Sequence, residues 1–327
     1  MANNTISNLA LTTINSITHP KVAQKIADNI TSRIPLLHFL NKMGHKEYEN
    51  GGREYWIPVF KELQVGQFYT GLTVLSNAEA DPVTNAIYQR KHYTTDITVS
   101  GTNLLKNTGG NDEAVISYLE TLIETAQESA KNDLAGRTSG LMSASADSDL
   151  GITGLQTFLT SSASTGTVGT LSRATYSWWR HNTDTITGFS TNGLTKMRSM
   201  FYTCARGDEI PTIIVCTKSA FINFVTQLTG TVNYDQRGIG PVNGDIDFPT
   251  ISFHGATVVF DDFCPDNTMY FLNLKYCKLM VHGDRDMTIR EFISPSNQDA
   301  LVARLYWAGN LVMSNLSRQG RLAGGDA

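Results

Sequence analysis

This chain predicts an α+β fold with extended segments that need a partner, and three observations predict it. The stretch from Thr108 to Gly140 has the apolar spacing of one long amphipathic helix. Short β-branched and aromatic runs alternate with helical patches in the second half. Before residue 106 the chain is polar and turn-rich, with too little apolar content for a core of its own.

Residues 1–35 are rich in Thr, Asn, Ser and Ile. Pro20 and Pro35 bracket a short helix predicted around Val22–Ile30. An arm of this kind is either disordered or ordered by lying on a partner. Residues 50–106 read as β. The run REYWIPVF follows Gly51-Gly52, and RKHYTTDITVSG alternates, with Tyr93, Thr95, Ile97 and Val99 on one face. The stretch between them, TGLTVLSNAEADPVTNAIYQ, reads as a polar loop. The prediction is one extended hairpin built from those two strands, with Lys61 where it begins and Lys91 where it returns. Such a hairpin cannot stand in water unaided and needs a surface to lie on.

The long helix is placed at 111–137. Val115/Ile116, Leu119, Leu122/Ile123, Ala126, Ala130 and Leu134 recur every three to four residues and form one stripe. Asn111, Asp112 and Glu113 supply capping and negative charge at its start. Gly136 and Gly140 can end it. At 1.5 Å per residue it reaches on the order of 35–40 Å.

A Ser/Thr/Gly-rich connector follows, with the adjacent Trp178 and Trp179 read as core or interface anchors. A helix is predicted over 189–206, then the β runs PTIIVCT, ATVVFDD, TMYFLNL, CKLMVH and DMTIREF, with the helical patch KSAFINFVTQL between the first two. These make an α+β lobe around a central sheet. The alternation of Leu301, Ala303, Leu305 and Trp307 suits a final strand packed on the long helix. The tail RLAGGDA is read as mobile. No solenoid or propeller repeat is present.

The chain has 327 residues, enough for two lobes, and 41% are hydrophobic. Charged residues are 17%, below the usual quarter. A low-charge surface of Thr, Ser and Asn suits a protein that buries its exterior against copies of itself; polar loops in an ordinary soluble protein would give the same numbers. The net charge of −4 leaves no strongly basic field to grip nucleic acid. Cys204, Cys216, Cys264 and Cys277 show no C-x-x-C spacing and read as buried thiols from a reducing compartment, with a Cys264–Cys277 pairing left open. There is no secretory signal and no apolar run long enough for a membrane span.

A search for chemistry finds no nucleophile elbow, phosphate loop, H-E-x-x-H or dinucleotide fingerprint. Gly109-Gly110 reads as a loop or cap rather than an anion site. Asp261, Asp262 and Asp266 form a local carboxylate cluster, read as a turn after a strand rather than a Ca²⁺ or acid/base site. His282-Gly283-Asp284 shows no ligand spacing. Arg237 and Arg285 lie in polar loops and can pair with carboxylates within or between subunits. No catalytic residue, cofactor-binding residue or metal ligand is predicted, and no cofactor.

In this order the parts resemble a tailed-phage major capsid protein of the Hong Kong 97-type fold. GITGLQTF (Gly151–Phe158) is similar to the connector after the spine helix. PTIIVCTKSAFINFV is similar to the strand and helix of the lobe around the capsomer axis. ISFHGATVVFDDFCPDNTMYFLNLKY (Ile251–Tyr276) is the most specific match. The resemblance implies an N-terminal arm (1–35), the start of a P-domain (36–50), an E-loop hairpin (51–106), the P-domain with its spine helix (107–160), an A-domain (161–290), and a closing P-domain strand with the C-terminal tail (291–327). It implies a structural protein, not an enzyme, that self-assembles into hexamers and pentamers of an icosahedral head. It also implies a virion location after assembly in the bacterial host cytoplasm. The partners implied are copies of itself, a separate scaffolding protein, portal and decoration proteins, and packaged double-stranded DNA touched weakly on the inner face, with no membrane. Only a short arm precedes the fold, so scaffolding would come from a separate protein or be absent. No covalent cross-link from Lys61 or Lys91 is predicted, since no spacing identifies the carboxylate it would need. The alternatives are an encapsulin-type nanocompartment shell, an α+β hydrolase using Asp261, Asp262 and His282, and a tail-tube or decoration protein.

Overall fold

The computed structural model describes residues 34–62, 66–72, 74, 81–103, 118–229 and 251–324. Its first elements are α1 (Pro35–Lys42), β1 (Lys46–Tyr48), β2 (Glu54–Phe60), β3 (Val83–Gln89), β4 (Lys91–Ser100) and α2 (Tyr118–Ala135). Next come α3 (Leu155–Phe158), β5 (Thr167–Val168), β6 (Leu171–Ser172), β7 (Asn182–Thr185), α4 (Leu194–Cys204), β8 (Ile213–Cys216) and α5 (Lys218–Thr229). The chain continues through β9 (Ile251–Phe253), β10 (Ala256–Phe260), β11 (Thr268–Leu272) and β12 (Cys277–Val281). It closes with β13 (Thr288–Ile289), β14 (Ala300–Met313) and β15 (Gly320–Ala323). The predicted arm helix at 22–30 and the helix start at 111–117 lie outside the described residues.

Two compact units divide the chain. One contains residues 93–132 and 285–307. In it β14 pairs with β13 and with β4. Ile97, Ala126 and Ala303 form its buried core, with Leu122, Ile123, Ile289 and Phe292 packed against them. The predicted stripe of the long helix therefore faces a sheet, and the predicted final strand packs on it. Small residues on that stripe let helix backbone and strand approach closely.

The other unit contains residues 33–92, 133–284 and 308–327. Among its described residues, six strands run in the order β7-β15-β11-β8-β10-β9. β8 and β10 are parallel, while β11 is antiparallel to both β8 and β15. Every residue of β8 and of β11 is buried, as expected of central strands covered on both faces. Ile214, Val258, Phe271 and Leu322 from the sheet pack with Met200 and Phe201 of α4 and Phe224 of α5. Burial of each large side chain contributes roughly 1.5–3 kcal/mol. Also in this unit, β12 pairs with β1 and with the last residues of β14.

The structure corrects three expectations. The hairpin partner of β2 is not the 90–101 run but β3, which sits in the stretch read as a polar loop; the register sets Tyr55 against Tyr88 and Phe60 against Val83. The 90–101 run becomes β4 and pairs with β14 instead. The tail read as mobile supplies β15, whose Leu322 is buried in the sheet core. The Ser/Thr/Gly connector is structured as well. Leu141, Met142, Leu155, Phe158 and Trp179 are all buried. Gly140 lies where a Cβ would meet the Asp133 and Leu134 carbonyls at 2.5 Å. Its bare backbone lets the chain fold back so that the Leu141 amide donates to the Leu134 carbonyl at the end of α2.

Candidate interaction surface

The β2–β3 hairpin carries two faces with opposite fates. Residues paired across an antiparallel ladder share a face. Tyr55, Tyr88 and Ala86 point to one face and are buried. Trp56, Phe60 and Val83 point to the other and are exposed, Trp56 at 61% and Phe60 at 76%. Beyond the paired strands Phe68, Tyr69, Leu72 and Val74 are also exposed. Isolated exposed apolar side chains are ordinary, but a run of aromatics on one thin ribbon marks an interaction surface. Burial of each such aromatic on a partner would contribute roughly 2–3 kcal/mol before ordering costs.

The base of the hairpin is held by a polar network that runs from buried to exposed groups. The Tyr88 hydroxyl donates to the Met313 carbonyl at 2.7 Å, and burial pushes its pKa well above the usual phenol range. The Gln89 amide donates to the Asp147 carboxylate at 3.0 and 3.1 Å. Asn310 donates to the Gln89 carbonyl and accepts from the Thr153 amide. Lys91 is only 5% exposed, and its ammonium donates to the Asp147 and Asp149 carbonyls, each at 2.5 Å. Burial lowers the Lys91 pKa, and the Asp147 and Asp149 charges oppose that shift. Arg90 donates to the Tyr55 hydroxyl and to the Gly51 carbonyl. Gly169, at φ +57, accepts from the Ile87 amide; a Cβ there would crowd Ala86 and Tyr88 at 3.0 Å. The exposed apolar face is thus mounted on a rigid root.

The residues weighed from sequence take other places. Asp261 is buried, and its carboxylate accepts from the Phe263 amide as a turn. Asp266 pairs with Arg137, which also donates to the Phe263 and Cys264 carbonyls. His282 accepts from the Asp284 amide through Nδ1. Among the described residues no group of three or more His, Cys, Asp or Glu could hold a metal ion. All four cysteines are buried thiols outside any disulfide, so Cys264 and Cys277 are not bridged. Lys61 approaches Asp81 at 3.8 Å. Arg285 lies over the Tyr306 ring. Trp179 is buried and donates to the Val168 carbonyl at 3.0 Å. Gly109, Gly110 and Arg237 lie outside the described residues. The root residues Asp147, Thr153 and Asn310 escaped sequence reading, because contacts across about 160 positions leave no local pattern.

No protein-family model matches the chain, and no curated protein matches it in sequence. Solved structures do. The chain is similar to a subunit of the cyanophage A-1(L) capsid, with a TM-score of 0.69 at 17% identity over 100% of both chains. It is similar to the capsid protein of the native GTA particle, with a TM-score of 0.59 at 10% identity over 99% of each chain. It is also similar to the SrpI encapsulin from Synechococcus elongatus PCC 7942, with a TM-score of 0.51 at 10% identity over 99% of this chain and 96% of that one. At these identities the likeness establishes the fold, an α+β fold of the Hong Kong 97 capsid type.

Proposed function

We propose that this chain is the major capsid protein of a tailed phage, a structural protein that self-assembles into the hexamers and pentamers of an icosahedral head around double-stranded DNA. The observation that carries the reading is the exposed aromatic face of the β2–β3 hairpin on its polar root. Its face has no use in a monomer and suits a strap lying on a neighbouring copy. The whole-chain likeness to phage and GTA capsid subunits supports it.

In this reading the segment 51–106, with β2 and β3, is the E-loop, and α2 belongs to the spine helix within 107–160. Residues 1–35 are the arm. The sheet of β8, β10 and β11 is the heart of the A-domain at 161–290. Residues 36–50 and 291–327 complete the P-domain, although β15 joins the A-domain sheet. Scaffolding, portal and decoration proteins are the expected partners, and assembly would take place in the host cytoplasm.

The likeness to an encapsulin favours one second reading, a nanocompartment shell. Negative-stain electron microscopy of the purified chain, alone and with its co-expressed neighbours, tests both. Closed particles or capsomers tens of nanometres across are expected. A monodisperse species of one or two chains under every condition would overturn both readings. Particles holding a specific enzyme and no DNA would select the second.

A further inference from the structure

The bend between β1 and β2 carries Asn50, Gly51 and Gly52, all three exposed. An asparagine before a glycine is open to attack by the next main-chain nitrogen on its own side chain, because glycine puts no Cβ in the way. Here a Cβ on Gly51 would meet nothing within 4 Å, and Gly51 sits at φ +93. Among the described residues no acceptor pairs with the Gly51 amide, so no hydrogen bond has to break before it reacts. The Asn50 side chain has a donor waiting on it. Its Oδ1 accepts from the Gly283 amide at 2.9 Å. A Cβ on Gly283 would lie 2.9 Å from that same oxygen, so glycine at 283 is what lets the backbone donor come this close. A second pair, Asn192-Gly193, is built differently. Gly193 is buried in the helical turn Phe189–Gly193 that runs into α4, and Asn192 Oδ1 accepts from the Thr187 amide at 3.3 Å. Ring closure there would have to unwind the helix. Asn243-Gly244 lies outside the described residues.

We propose that Asn50 is a site of spontaneous deamidation in the folded chain. The Gly51 nitrogen gives its proton to water and bonds to Asn50 Cγ. Negative charge develops on Oδ1, where the Gly283 amide already donates, as a donor does in an oxyanion hole. The Cγ–Nδ2 bond then breaks, Nδ2 takes a proton from water and leaves as ammonia, and a cyclic imide remains. Water opens the imide at either carbonyl and gives aspartate or isoaspartate. The net exchange is one water taken up and one ammonia released. Both products add a negative charge, and isoaspartate also adds a methylene to the main chain. The change falls beside the Gly51 carbonyl, which Arg90 holds while it also donates to the Tyr55 hydroxyl. It is therefore a covalent change at the root of the β2–β3 hairpin, and it holds whatever the chain assembles into.

The test incubates the purified chain near neutral pH and maps its tryptic peptides by mass spectrometry over time. Cleavage after Lys46 and Arg53 isolates Asn50, and cleavage after Arg180 and Lys196 isolates Asn192, so each site is read by itself. In the native chain Asn50 should convert ~10-fold or more faster than Asn192, whose helical backbone must first give up its hydrogen bonds. In urea the two should convert at similar rates, because both are then free Asn-Gly pairs. Gly283→Ala, which displaces the Asn50 side chain from its donor, should slow conversion of Asn50 ~3–10-fold in the native chain and leave the rate in urea unchanged. Equal native rates at Asn50 and Asn192 would overturn the proposal. So would an Asn50 that stays intact in the native chain and converts only in urea. Conversion of the Gly283→Ala variant at the wild-type rate would remove the Gly283 amide from the chemistry.

Discussion

Asn310 on β14 donates its side-chain amide to the Gln89 carbonyl at 2.7 Å, at the base of the hairpin. The same side chain accepts from the Thr153 amide at 2.9 Å and donates to Thr153 Oγ1 at 3.0 Å and to Asp147 at 3.2 Å. It is completely buried. Asn310→Ala would deprive the Thr153 and Leu311 amides, which both donate to its side-chain oxygen in buried positions, of that acceptor. Each orphaned group costs about 1–3 kcal/mol. The expected loss is roughly 2–4 kcal/mol in urea unfolding. A loss under about 0.5 kcal/mol would mean that water replaces the side chain and that the root is not fixed by it.

The exposed hairpin face should behave in the opposite way. Trp56→Ser combined with Phe60→Ser removes side chains that are exposed in the monomer, so folding stability should change by less than about 0.5 kcal/mol. Particle formation, followed by light scattering, should be abolished. Wild-type assembly by the double variant would show that this face is not an interface.

Asp261 gives a pH signature. Burial pushes its carboxyl up to about 6 from 3.8, and Asp262 adds to the effect; the Phe263 and Leu36 amides and Arg137 oppose it. A raised carboxyl pKa means that the folded chain holds this proton more tightly than the unfolded chain. Its contribution is therefore fully present below about pH 4 and is lost as pH rises through about 6. A shift of about two units corresponds to ~3 kcal/mol. Asp261→Asn keeps an acceptor for the Phe263 amide and cannot ionise. The variant should gain stability relative to wild type as pH rises from 4 to 7. Parallel stability curves for the two proteins over that range would exclude titration of this group.

The sequence made local features legible and long-range ones opaque. The helical stripe ending in Ala126, Ala130 and Leu134 could be read because helix periodicity is written within a few turns. The fully buried β8 and β11 announced themselves as apolar runs. The strand VTNAIYQ did not, since Thr84 and Asn85 break its apolar alternation and its partner lies about 30 residues away. Gly320–Ala323 reads as a tail from composition because its arginine and glycine say nothing of the Met269–Leu322 pairing that gives it a place. The hairpin face was half legible: REYWIPVF shows its aromatics, but which of them are buried depends on a root assembled from Asp147, Thr153 and Asn310.

Arg173 is the sharpest case of a residue that composition hides. It sits in a run of Ser, Thr and Gly, yet it is completely buried. Its guanidinium donates to Thr160 Oγ1 at 2.9 Å and to the Thr157 and Phe158 carbonyls at 2.8 and 2.5 Å. Burial lowers its pKa to about 10, and the nearby Tyr88 hydroxyl opposes the shift. The group therefore stays charged at neutral pH and is neutralised by backbone dipoles rather than by a carboxylate. His181 binds the Thr160 carbonyl beside it, and burial pushes that imidazole down to about 4, so it adds no second charge near pH 7. A lysine keeps the charge but cannot reach three acceptors in one plane. Arg173→Lys should cost roughly 2–3 kcal/mol by leaving carbonyls of the 157–165 turn unpaired. Arg173→Met, which leaves the same carbonyls unpaired but buries no charge, should cost no more than the lysine variant. Urea unfolding of the two variants decides it. A lysine variant as stable as wild type would show that charge alone holds the turn, and that the fork is incidental.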